Sequence, residues 1–152
     1  MRWLLLVSAM ACVSLSLYLT QRLRHLRSQY VLRMRDLFHR RREWLEAEFL
    51  TQAGRSGRPR GLQWAECDFE DAVSFARDRK TRQYRALVAV TIRFKAISGG
   101  GMEHVAAVHN LRSATAVFHF DQGQWRTDGR AVFNLSPAET IEHFAHELEP
   151  VA

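Results

Sequence analysis

Lysine, cysteine and proline are scarce in this chain of 152 residues, with two, two and three copies. Cys12 and Cys67 by themselves make neither a disulfide framework nor a zinc site, so the thiol content demands no oxidising compartment. The shortage of lysine leaves arginine to carry the positive charge. That bias suits bidentate phosphate contacts and equally follows from a GC-rich coding sequence. No proline or glycine interrupts residues 21 to 53, which excludes a loop-rich connector there. Charge is absent from Trp3 to Leu19, a run that no ordinary exposed segment would carry. With 47% hydrophobic and 11% aromatic residues, the chain has the composition of a folding protein; only residues 54 to 60 read as unstructured.

The net charge of +6 is unevenly spread. Residues 21 to 60 hold eleven arginines against four acids, whereas residues 61 to 152 hold ten basic and twelve acidic side chains. The basicity therefore belongs to the segment beside the uncharged run. That run, 17 residues long, is at the short end of what crosses a hydrocarbon core of about 30 Å, and Trp3 and Tyr18 suit its two interfaces. A cleaved leader ending at Ala9-Met10-Ala11 and a lipoprotein box at Ala11-Cys12 are rival readings, and both leave poor geometry around the cut. The reading preferred is a transmembrane anchor over residues 1–20. Arginines after the run place it as a single-pass segment of an inner, cytoplasmic membrane with the globular part in the cytoplasm. Arg22, Arg24, Arg27, Arg33 and Arg35 would meet anionic lipid headgroups, each worth about 1 kcal/mol near the surface.

Residues 21–53 form a basic juxtamembrane and packing helix in this reading. Leu23, Leu26, Tyr30, Met34, Leu37, Leu45 and Phe49 recur at steps that match one helical face, and the pattern breaks at Arg41. A loop follows over residues 54–61. Beyond it the period becomes two: Tyr84, Ala86, Val88, Val90, Ile92, Phe94 and Ala96 alternate with the residues between them, predicting a long strand. A shorter strand begins at Val73 and Phe75, a second long strand covers Val105 to Phe120, and Trp125 to Phe133 returns after a turn at residues 121 to 124. Ser136, Pro137 and Glu139 make a capping box at the start of a last helix whose stripe is Ile141, Phe144, Ala145 and Leu148. The predicted class is α+β: an N-terminal transmembrane helix running into a long helix, then, over residues 62–152, a curved antiparallel meander of about four strands with a C-terminal helix.

A helix followed by a meander and by the hairpin from Ala116 to Arg126 (AVFHFDQGQWR) resembles domains of the nuclear transport factor two-like and cystatin-like group, over residues 43 to 134. The resemblance implies a curved sheet wrapped on a long helix. Members of that group range from enzymes to docking modules, so it does not choose a function. The stretch from Arg85 to Phe94 with Gly99 to Glu103 is also similar to bacterial membrane-anchored proteins without an assigned activity.

Seven histidines raise the question of a metal, and their spacing answers against it. His143 and His146 belong to an exposed helix end, and no third ligand stands at recognisable spacing. His109 and His119 share strand parity and, with Asp68, form the one candidate pocket set. Cys67 lies between Glu66 and Asp68, whose charges would raise its pKa and make it a poor nucleophile. The arginine clusters lack the interleaved aromatics of a nucleic-acid groove, so nucleic acid ranks below lipid and protein as a partner. No catalytic residue, cofactor or metal is expected. The functional expectation is a non-catalytic, membrane-tethered interaction or association domain that binds an unidentified protein or forms a homodimer. The alternative is a small-molecule-binding or catalytic pocket of the nuclear transport factor two-like type, built on Asp68, His109 and His119.

Overall fold

The computed structural model describes residues 2–56 and 61–151, with the side chains at positions 2, 4–9, 11, 56 and 109 outside that description. The chain divides into two units, Met1–Arg40 and Arg41–Ala152. The first is the helix α1 (Arg2–Arg40). Among the described residues no helix is long and apolar enough to cross a membrane, which corrects the expected transmembrane anchor. Much of the expected span, positions 4–9 and 11, lies outside the described side chains. The uncharged run from Trp3 to Leu19 is 17 residues long, contains Ser8, Ser14 and Ser16, and falls short of the roughly 20 predominantly apolar residues a crossing requires.

Arg41 is a turn residue, at the point where the apolar spacing breaks, and α2 (Arg42–Ser56) begins after it. Then come β1 (Leu62–Asp78), β2 (Tyr84–Ala96), a single 3-10 turn (Ala106–His109), β3 (Arg112–Asp121), β4 (Gln124–Arg126), β5 (Ala131–Phe133), α3 (Pro137–His143) and β6 (Leu148–Pro150). The strands form one antiparallel sheet in the order β4-β3-β2-β1-β6, with β5 also paired to β3. The fold is α+β, with six strands where about four were expected.

Alternation along β2 sends Ala86, Val88, Val90, Ile92 and Phe94 to one face, all buried. The register adds Trp64, Cys67, Phe69 and Phe75 from β1 and Ala114, Ala116 and Phe118 from β3. This inner face takes α2, whose Leu45, Phe49 and Ala53 are each fully buried. The Phe49 ring sits 5.6 Å from that of Phe69, 5.9 Å from Phe118 and 6.1 Å from Trp64, so one helical side chain is gripped by two strands. On the outer face a smaller cluster of Ala76, Leu87, Val117 and Leu148 is covered by Val132, Ile141 and Phe144.

Three departures from the sequence reading have local causes. The leading strand is long, because two bulges hide it. Ala65 has no counterpart on β2, and Glu70, Asp71 and Ala72 stand opposite the single Ala89. The first bulge shifts the inward positions from Leu62 and Trp64 to Cys67 and Phe69, which erases a simple two-residue period. The expected strand from Trp125 to Phe133 is two short strands. Between them Thr127 Oγ1 donates to the Val117 carbonyl and accepts from Gly129 N–H, and Gly129 has φ of +70°. There the backbone presses on α2 so closely that a Cβ at Gly129 would lie 2.2 Å from Ala53 N. The final helix stops at His143, and Leu148 leaves it to begin β6. Its start is as predicted: Ser136 Oγ accepts from Glu139 N–H at 3.3 Å and Glu139 Oε2 accepts from Ser136 N–H at 2.8 Å.

Candidate interaction surface

The first half of β1 has open space on both sides. On the inner face a cleft of about 560 Å³ separates it from the C-terminal turns of α2, with Leu50, Thr51, Gly54 and Arg55 on one wall and Gln63, Trp64, Ala65, Glu66 and Cys67 on the other. On the outer face a second cleft of about 370 Å³ is lined by Glu66, Cys67, Asp68, Thr91, Arg93 and Leu111. Among the described residues no strand pairs with the outer edge of β1 from Leu62 to Phe69, because β6 meets only Ala76, Arg77 and Asp78.

That edge is held in shape from α2. Arg42 extends its guanidinium to the backbone carbonyls of the second bulge: Nη1 donates to Asp71 O at 2.6 Å and Nη2 to Glu70 O, while Nε donates to Glu46 Oε1 at 2.7 Å. A planar fork is the side chain that can satisfy two adjacent carbonyls at once. At the other end, the Ile97 N–H donates to Gly61 O at 2.9 Å and pins the start of β1.

The edge is acidic. Glu66, Asp68, Glu70 and Asp71 are all exposed, and no basic residue occurs in β1 before Arg77. Glu66 pairs with Arg93 at 3.3 Å, but both side chains are more than half exposed, so the pair contributes little. Cys67 points the other way, into the inner face, where burial pushes its thiol up to about 11. The expected rise is present, yet its cause is desolvation, since Glu66 and Asp68 project from the opposite face.

The residues singled out in the sequence are dispersed. Asp68 lines the outer cleft. His119 lies on the same face of β3, and its Nδ1 is 3.8 Å from Asp128 Oδ2. Through the register Asp68 to Thr91 to Ser113, the two are six strand positions apart, or roughly 20 Å. His109 is in the 3-10 turn and not in a strand, which removes the parity argument that joined it to His119; its side chain lies outside the description. Arg22, Arg24, Arg27 and Arg33 are exposed on α1 and Arg35 is half-buried. Among the described residues no three His, Cys, Asp or Glu side chains are placed to hold a metal ion.

Leu50, Trp64 and Arg42 belong to this surface and were not singled out beforehand, and Glu66 was noted only as a neighbour of Cys67. The one available signal was the acidic run in a segment that also holds Trp64, Phe69, Val73 and Phe75.

Together these features describe an α+β module with an open, acidic sheet edge set between two clefts. No protein-family profile, curated protein or solved structure matches the chain.

Proposed function

We propose that the chain is a non-catalytic interaction module tethered to a membrane surface by its N-terminal helix. The observation that carries this reading is the exposure of α1: Leu19, Leu23, Leu26 and Tyr30 recur on one helical face and are each at least half exposed. An apolar stripe of that length marks a surface that another phase or molecule covers. The arginines beside it favour anionic lipid, such as the negatively charged cytoplasmic leaflet of an inner membrane.

Flotation of the full chain with vesicles of phosphatidylglycerol and phosphatidylcholine tests the tether. The protein rises with anionic vesicles, and replacing Arg22, Arg24, Arg27, Arg33 and Arg35 by glutamine lowers the floated fraction at least tenfold. Recovery at the bottom of the gradient with every vesicle overturns the reading. A reporter that is active only in the cytoplasm, fused after Ala152, tests the side.

A second reading, a small-molecule pocket, is favoured by the volume of the inner cleft. A saturable rise in Tm with a ligand, lost in Trp64→Ala, would establish it, because a ligand stabilises the folded state in proportion to ln(1 + [L]/Kd).

A further inference from the structure

From the strand register we infer that the outer face of the sheet at Arg126 and Arg130 binds the phosphate group of a phosphomonoester, and that the groove under α3 takes the apolar group attached to it. The site is built from the folded unit alone and lies on the face of the sheet opposite the inner cleft.

The register gathers positive side chains there. Arg85 on β2 stands directly opposite His119 on β3, and His119 directly opposite Arg126 on β4, so three basic side chains share one row of the outer face. Two positions along β3, roughly 7 Å away, Val117 N–H donates to Arg130 O at 3.0 Å, which places Arg130 in the adjacent row. Like charges set opposite one another destabilise a sheet. Acids offset part of this crowding: Asp78 Oδ2 accepts from Arg85 at 2.8 Å, while Asp128 is 84% exposed and 3.8 Å from His119. Among the described residues the guanidiniums of Arg126 and Arg130 have no acid or carbonyl partner. An anion between them relieves the crowding, and two planar forks with several donors each suit a phosphate.

The backbone holds these two arginines at a fixed separation. Thr127 Oγ1 donates to Val117 O and accepts from Gly129 N–H, and Gly129 is pressed against the backbone of α2, so the chain from Arg126 to Arg130 keeps its kink. Donors already in place lose less freedom on binding. Beside Arg130 runs a groove lined by Val132 on one side and by Thr140, Phe144 and Glu147 on the other. Val132 and Phe144 are half-buried, which leaves apolar surface next to Arg130. The enclosed part of the groove is about 20 Å³, room for roughly one water, so the apolar group lies along the groove and not inside a cavity. Exposed Glu147 on the far wall disfavours a second anionic group, and the ligand class is one phosphate on a short apolar or aromatic body.

The test is calorimetric titration of the full chain with phenyl phosphate, with inorganic phosphate and phenol as comparison probes. Phenyl phosphate is expected to bind at least tenfold more tightly than inorganic phosphate, and phenol not to bind. Arg126→Gln with Arg130→Gln, both at exposed positions, weakens phenyl phosphate at least tenfold. Lys95→Gln with Arg112→Gln removes the same charge from exposed positions elsewhere on the sheet and changes binding less than twofold. Arg126→Lys with Arg130→Lys recovers part of the affinity, because an ammonium keeps the charge and lacks the fork. Phe144→Ala abolishes the preference for phenyl phosphate and leaves inorganic phosphate bound as before, which also shows that the variant is folded.

No saturable binding of phenyl phosphate overturns the proposal. Equal losses in the two glutamine pairs assign the binding to general charge and overturn it as well, as does a Phe144→Ala variant that keeps the full preference. Flotation of the Arg126→Gln, Arg130→Gln pair on vesicles containing phosphatidic acid separates two sources of the same chemistry. A floated fraction below that of the parent supports the site with a lipid headgroup as its ligand, and an unchanged fraction supports it with a soluble ester.

Discussion

α1 and α2 follow one another in the chain, and both repeat apolar side chains at three- and four-residue steps. In α2 the repeat is Leu45, Phe49 and Ala53, each 0% exposed. In α1 it includes Leu23 and Leu26, each 56% exposed. Periodicity thus established that each segment is a helix with an apolar side, and left open what lies against that side. For α2 the answer is a sheet whose Trp64, Phe69 and Phe118 meet Phe49 from 15 to 69 positions later in the chain, an arrangement no local pattern encodes. Among the described residues of α1 the stripe stays exposed from Leu19 to Tyr30 and is buried only further along, at Met34 and Phe38, and the proposal of a lipid surface follows from the exposed part.

The comparison can be broken most directly at Phe49. Phe49→Ala removes a fully buried ring from among Trp64, Phe69 and Phe118, and is expected to cost ~3–5 kcal/mol in urea unfolding of the full chain followed by tryptophan fluorescence. A loss below ~1 kcal/mol would show that α2 does not supply the core.

Arg42→Ala should come next, at ~1.5–3 kcal/mol, since it removes charge-assisted bonds from two carbonyls. Arg42→Lys should recover only part of this loss, because an ammonium lacks the planar fork.

Gly129→Ala would force a side chain onto a positive φ and into the Ala53 backbone, and at least ~1–3 kcal/mol of lost stability is expected. If the variant unfolds like the parent, the close approach to α2 is wrong.

Asp78 gives a pH test. The backbone N–H of Thr81, at 2.8 Å, and then the Arg85 guanidinium, also at 2.8 Å, hold its carboxyl at about 2, below the ordinary carboxylate value. A carboxylate depressed in the folded state contributes stability that is present above the unfolded pKa of about 4 and disappears as pH falls through its folded value. Stability of the parent should therefore drop between about pH 4 and pH 2 more steeply than that of Asp78→Asn, as measured by urea midpoints across that range. Parallel curves would contradict the assigned contacts.

The smallest effect is expected at Leu23. Leu23→Ala on exposed α1 should change the urea midpoint by no more than ~0.5 kcal/mol equivalent, while lowering vesicle flotation. A large loss of stability would place Leu23 in a packed environment and remove the contrast with α2.

Legibility in the sequence followed the range of the interactions involved. Ser136, Pro137 and Glu139 announced the start of α3 because a capping box is complete within four residues. β2 was legible because its inward positions alternate without a fault from Ala86 to Phe94. β1 was not, because the bulge at Ala65 changes its parity and the acids of its edge look like those of a loop. The candidate pocket failed for a related reason. Parity joined His109 to His119, but the chain between them turns out of the sheet at Ala106–His109, so a shared period meant nothing there.

By itself the sequence determined the helical segments, the longest regular strand, the α+β class and the concentration of arginine beside an uncharged run, because each depends on residues within a few positions of one another. Only the tertiary structure decided that β6 meets β1 at Ala76, Arg77 and Asp78, that Glu66 and Asp68 share the outer face of β1 while Cys67 turns inward, and that clefts open on both sides of it. Those facts depend on which strand pairs with which, and pairing is fixed by contacts between residues far apart in the chain.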